Sequence, residues 1–154
     1  MKTVYNITIV LVLFAVGTQN LYAQKWTGKK ENGEAHGYGT MTYKNGNVFT
    51  GEMKDGKIVQ GTYTYTNTTG SKCKYIGYFR RSSYEHIFEG FGELWLDSFY
   101  YVGYFWDDKP HGYGTLVMKK DGTTVSGLFQ NWNFIEGFIA DKDGKLTKIE
   151  KPEQ

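Results

Sequence analysis

The chain has 154 residues, a length that suggests one domain, and its formal charge of +2 comes without a basic cluster of the kind a phosphate backbone requires, which argues against nucleic acid as a partner. Its 20 Gly, 13 Tyr, 10 Phe and 4 Trp against 2 Pro, with no low-complexity run, fit a hairpin-rich all-β chain and argue against disorder.

Residues 1–23 differ in kind from the rest. Lys2 is their only charge, Ile7 to Val16 is almost wholly apolar, and Leu21-Tyr22-Ala23 offers a small residue for cleavage before Gln24. The expectation is a helical secretory signal peptide and a product secreted or periplasmic; an uncleaved membrane anchor is the other reading. The apolar run of about ten residues is half of what a spanning helix needs. Removing it leaves 17 basic against 16 acidic residues. Cys73 is the only cysteine, so no internal disulfide can form; a buried thiol or an intermolecular bridge remains.

Residues 24–150 then divide into five units, with 151–154 as a tail. Unit one runs Trp26-Thr27-Gly28, turns at Asn32-Gly33 and returns through His36-Gly37-Tyr38-Gly39-Thr40. Unit two runs Phe49-Thr50-Gly51, turns at Asp55-Gly56 and returns through Gly61-Thr62-Tyr63. Unit three starts Tyr75-Ile76-Gly77-Tyr78-Phe79 and, after an insertion, returns through Gly90-Phe91-Gly92-Glu93. Unit four runs Tyr101-Val102-Gly103-Tyr104-Phe105, turns between Asp107 and Pro110 and repeats the pentad as His111-Gly112-Tyr113-Gly114-Thr115. Unit five runs Val125-Ser126-Gly127 and returns through Gly137-Phe138; an Asp143-Gly144 turn adds a short strand, Leu146 to Ile149. The anchors Gly28, Gly51, Gly77, Gly103 and Gly127 lie 23, 26, 26 and 24 residues apart, a repeat-array period. Asn-Gly and Asp-Gly pairs between alternating apolar residues signal hairpins, and nothing has helical period.

Read at period two, one face carries aromatic-Gly-aromatic on outgoing strands and Gly-Gly-apolar on return strands. Gly37, Gly39, Gly90, Gly92, Gly112 and Gly114 then read as slots in which a ring from the adjacent strand lies across the backbone. That face is the expected core. The other is polar in units one and two (Thr40, Thr42, Thr50, Glu52, Thr62, Thr64) and turns aromatic in units three and four. Contiguous exposed aromatics mark an interaction surface, unless a terminal segment or a second chain covers them.

The unit Tyr101-x-Gly103-x-Phe105 followed by His111-Gly112-Tyr113-Gly114-Thr115-Leu116 resembles the MORN (membrane occupation and recognition nexus) repeat family. The likeness spans about residues 26 to 139; units two and five lack the His and one Gly, and unit three carries an insertion. The resemblance implies an elongated, single-layer antiparallel meander of about five hairpins, roughly ten strands at about 4.8 Å each. It also implies a scaffold or binding role, with protein partners, phospholipid head groups or dimerisation as the family's range.

No catalytic constellation stands out. His36 and His111 hold equivalent positions three units apart and cannot share a metal. His86 sits in the insertion with Arg80, Arg81, Tyr84 and Glu85, where the repeat rule breaks. Asp107-Asp108 faces no second acid pair, Asp141-Lys142-Asp143-Gly144 lacks the remaining calcium ligands, and Asn67-Thr68-Thr69 is a glycosylation acceptor only in a eukaryote. The expectation is an exported binding module without cofactor or metal, meeting a protein partner through Tyr78, Phe91, Trp95, Tyr104, Trp106 and Tyr113, flanked by Arg80 and Arg81. Acidic phospholipid at a membrane surface and self-association into a homo-oligomer are the alternatives.

Overall fold

Two-residue hairpin turns of type I′ require positive φ at both central positions, and this chain supplies them in units one, two, four and five. Asn32-Gly33 (51° and 84°) and Asp55-Gly56 (51° and 70°) do so with glycine second. Asp107-Asp108 (52° and 64°) and Asn131-Trp132 (49° and 70°) do so without any glycine. The computed structural model describes residues 23–81 and 86–151, and of residues 23 and 24 only the backbone. The expected signal helix therefore lies outside the described residues, apart from Ala23, and so do Tyr84 and Glu85.

Unit one forms β1 (Ala23–Trp26), a small hairpin of β2 (Lys30–Glu31) and β3 (Glu34–Ala35), and β4 (Gly37–Tyr43). Unit two is β5 (Val48–Lys54) and β6 (Lys57–Thr66); unit three is β7 (Lys72–Phe79) and β8 (Phe88–Trp95). Unit four is β9 (Phe99–Trp106) and β10 (Lys109–Met118), and unit five is β11 (Thr124–Gln130) and β12 (Asn133–Ala140), followed by β13 (Leu146–Ile149). All but β2 and β3 join in one 11-stranded antiparallel sheet whose spatial order follows the sequence, β1-β4-β5 and onward to β13. The described residues contain no helix. This is the expected meander, with β13 at the expected residues.

One glycine per strand lies in register across the sheet: Gly39, Gly51, Gly61, Gly77, Gly92, Gly103, Gly114, Gly127 and Gly137. On the core face, rings lie across neighbouring pairs in this row. A Cβ on Gly92 would sit 2.7 Å from Cε2 and Cζ of Tyr75, and one on Gly77 would sit 2.6 Å from its hydroxyl. Tyr101 lies the same way over Gly103 and Gly114, Phe49 over Gly51 and Gly61, and Trp26 over Gly28 and Gly39. The two tyrosines finish the motif alike: Tyr75 donates its hydroxyl to the Tyr78 carbonyl (2.9 Å) and Tyr101 to that of Tyr104 (3.2 Å).

The first glycine of each return motif does something else. Gly37, Gly90 and Gly112 have φ of 72°, 71° and 107°, and no core ring lies against them. At Gly90 and Gly112 the nearest side chains are Tyr78 and Tyr104, residues of the opposite face. The register slips between Gly77 and Phe79 and between Pro110 and Gly114, so these two glycines sit at bulges, where a left-handed backbone is required. Only the second glycine of the motif is a ring slot. Pro110 is likewise not in a turn: it pairs with Phe105 inside β10, buried beside a bulge, one of the few places a sheet accepts proline.

The core is a chain of near-perpendicular ring contacts that crosses every unit boundary from two to five. Phe49 meets Phe79, Tyr75 meets Phe105 and Tyr101 meets Phe129, with centroids 5.8, 5.3 and 5.3 Å apart. Within units, Tyr75 meets Phe79 and Tyr101 meets Phe105, both at 5.1 Å. Edge-to-face pairs of this kind contribute about 0.5–1.5 kcal/mol each beyond their burial.

Candidate protein-binding face

Because the glycine row carries core rings on one side, the residues beside it along each strand project from the other. On β7, β8, β9 and β10 these are Tyr78, Phe91, Tyr104 and Tyr113, exposed by 52, 48, 53 and 66%. Phe91 pairs directly with Tyr104, their rings 5.7 Å apart at 76°, and Tyr113 pairs with Leu128 of β11. The row is closed at one end by polar groups: Tyr78 pairs with Gln60, which donates to Glu52 at 3.0 Å. Among the described residues, no segment covers these rings.

Trp106, exposed by 57%, stands at the end of β9 on this face. The Arg80 guanidinium lies 5.4 Å above its ring and bridges Glu89 (2.9 Å) and Asp107 (3.0 Å). Arg81 reaches the other way, to Asp55 at 3.3 Å. The two arginines thus tie the end of β7 to the turns of units two and four, and both are ion-paired.

Trp95 is not part of the row. It lies four residues further along β8 from Phe91, about 13 Å at strand spacing. There its ring stacks on Tyr100 (4.8 Å, 19°), its Nε1 donates to Glu93 (3.3 Å), and the Lys74 ammonium sits 4.9 Å over it. Parity places a residue on a face but not in a row, and the candidate set therefore divides in two. Tyr38, exposed by 71%, belongs to the same face on β4 but is separated from Tyr78 by Glu52 and Gln60. Its equivalence to Tyr113 in the repeated pentad is the signal that identifies it.

The pentad histidines join units. His36 Nδ1 lies 3.1 Å from Glu31 and 3.7 Å from Asp55, and His111 Nδ1 lies 3.4 Å from Asn131 Oδ1. Asp55 and Asn131 are the first residues of the following turns. The β2–β3 hairpin of the same unit brings Glu31 to His36, and the packing of unit two on unit one brings Asp55.

His86 is buried on the core side. Its ring stacks on Tyr63 (4.4 Å, 13°), meets Tyr43 edge-on, and its Nε2 is hydrogen-bonded to the Tyr43 hydroxyl at 2.7 Å; Nδ1 has no partner among the described residues. Burial holds its pKa down at about 4 and pushes both tyrosine hydroxyls up. A neutral imidazole locked among rings is a packing element.

Among the described residues, no group of three or more His, Cys, Asp or Glu could hold a metal ion, and no helix is long and apolar enough to cross a membrane. Asp107 and Asp108 form a turn, where the Asp108 carboxylate accepts the Phe88 N–H at 2.7 Å.

No curated protein matches the chain. The MORN repeat model matches it at residues 26–48, 49–69 and 101–123, that is, units one, two and four. MORN repeats form binding and scaffold modules and serve in protein or membrane-lipid interactions. Unit three departs through its insertion and unit five through Val125, which stands where the other units place a ring over glycine. With units one, two and four matched and the same hairpin unit built throughout an 11-stranded meander, the chain carries MORN repeats.

Proposed function

We propose that this is an exported, non-enzymatic MORN-repeat module that holds a protein partner against the aromatic row of units three and four. The observation that supports it is the row itself: four large rings on four adjacent strands, about half exposed, on the face the core does not use. Such a surface is larger than isolated apolar residues and matches the aromatic-rich centre of protein interfaces. Export to a periplasm or the medium rests on the signal-like residues 1–23. Acidic phospholipid is the weaker reading for this row, because Arg80 and Arg81 are both neutralised by carboxylates. Self-association through the same row is the third.

The test compares wild-type protein with the Tyr78→Ser, Tyr104→Ser, Tyr113→Ser variant, each immobilised and exposed to extract of the native compartment. Retention of a defined partner by wild type and its loss in the variant is the expected result. Equal retention by both sinks the proposal. Salt-sensitive binding to anionic vesicles in place of protein transfers the row to lipid, and light scattering that shows a dimer lost in the variant transfers it to self-association.

A further inference from the structure

We propose that the corner of the sheet around Trp95, separate from the aromatic row, is a binding site for a small dianion, a phosphate monoester or a dicarboxylate. There β7 begins, β8 and β10 end, and a depression of about 320 Å³ opens between Lys72, Lys74, Trp95, Leu96, Asp97 and Lys119. Three lysines and one aspartate line it, a formal net of two positive charges, equal to the formal charge of the whole 154-residue chain.

The lysines are positioned, not merely present. Lys74 is held over the indole, which is itself braced by Tyr100 on its ring and by Glu93 on its Nε1. Lys119 Nζ donates to the Leu96 carbonyl at 2.5 Å, and Lys72 Nζ to Thr66 Oγ1 at 2.8 Å. Each of these partners is neutral. An ammonium carries three donors, so donors remain on all three for an anion. Both arginines are ion-paired, whereas none of these three lysines has a carboxylate partner among the described residues. What sets these three apart from other lysines without a carboxylate partner is that they line one depression with a concave wall and an apolar floor at Leu96, which is 7% exposed. Two net charges select a dianion over a monoanion, and rigid placement reduces the ordering entropy that flexible lysines otherwise lose on binding.

The experiment is calorimetric titration of the whole protein with inorganic phosphate and, separately, succinate, at constant ionic strength set by chloride. Saturable binding of at least one dianion is expected, weakened about tenfold or more by Lys72→Gln with Lys74→Gln, since two nearby charges are lost. Lys54→Gln with Lys57→Gln, which removes the same charge from the β5–β6 turn, should leave affinity within about twofold. Asp97→Asn, at an exposed position, should tighten binding several-fold, and it keeps the test readable if the double lysine variant does not fold. The proposal is overturned by absence of saturable binding, by equal weakening in both lysine pairs, by an unchanged affinity in Asp97→Asn, or by binding to anionic vesicles with none to the soluble anions.

Discussion

His86 shows how one side chain can set a pH limit on the fold. Folded, its pKa is about 4; unfolded, it returns to the ordinary value of about 6.5. Between those values the unfolded chain binds a proton that the folded chain does not, so stability rises with pH across that window and is lost as pH falls through it. The gap is worth roughly 2–3 kcal/mol at pH 4. Denaturant melts of wild type should show that loss between pH 6.5 and 4 in excess of the Tyr43→Phe, His86→Phe variant, in which the rings still stack and no imidazole remains. Parallel pH curves for the two proteins would remove the assignment. The Asp107 and Asp108 backbones carry a second residue-scale feature. Each left-handed non-glycine residue is strained by about 1 kcal/mol or more, and the register pairs Trp106–Lys109 and Gln130–Asn133 impose it at both glycine-free turns.

At the scale of the element, the ring laid over two glycines is what couples a hairpin to its neighbour. Gly92 belongs to β8, yet its missing Cβ is filled by Tyr75 of β7, whose ring also stacks on Phe88 at 3.8 Å. Gly92→Ala should destabilise the protein by about 1–3 kcal/mol through overpacking, measured by chemical denaturation. Gly46→Ala, in an open turn where nothing approaches within 4 Å, should lose only what its φ of 82° imposes, about 1 kcal/mol. An equal loss at the two sites would contradict the slot. Much of this was legible in the sequence, because aromatic-Gly-aromatic recurs in step with the anchor glycines and both Asn-Gly and Asp-Gly mark turns. The division of labour between the two glycines of each pentad was not. Period-two counting assumes an unbroken ladder, and one bulge after Gly90 or Gly112 shifts parity. The turn at Asn131-Trp132 was hidden for a different reason: no glycine announces it, and strand pairing enforces the conformation. Pro110 reads as a turn residue by local rule and is kept in β10 by the bulge beside it.

Taken whole, the molecule uses its two faces for two purposes. One face holds the ring chain Phe49–Phe79–Tyr75–Phe105–Tyr101–Phe129, which joins each unit to the next, while His86 of the unit-three insertion reaches past unit two to Tyr43 of unit one. The other starts as threonines on β4, β5 and β6 and becomes aromatic on β7 to β10. The sequence shows that change of character, but not that Trp95 leaves the row to join Tyr100 and Lys74, because rows depend on register and register is set by the turns. The most direct measurement is hydroxyl-radical footprinting of the tyrosines and Phe91 in the protein alone and in its native complex. Binding through the row predicts strong protection of Tyr78, Phe91, Tyr104 and Tyr113 on complex formation, with the buried Tyr75 and Tyr101 unreactive in both states. Protection confined to Tyr100 and Tyr38, with the row as reactive as before, would contradict it.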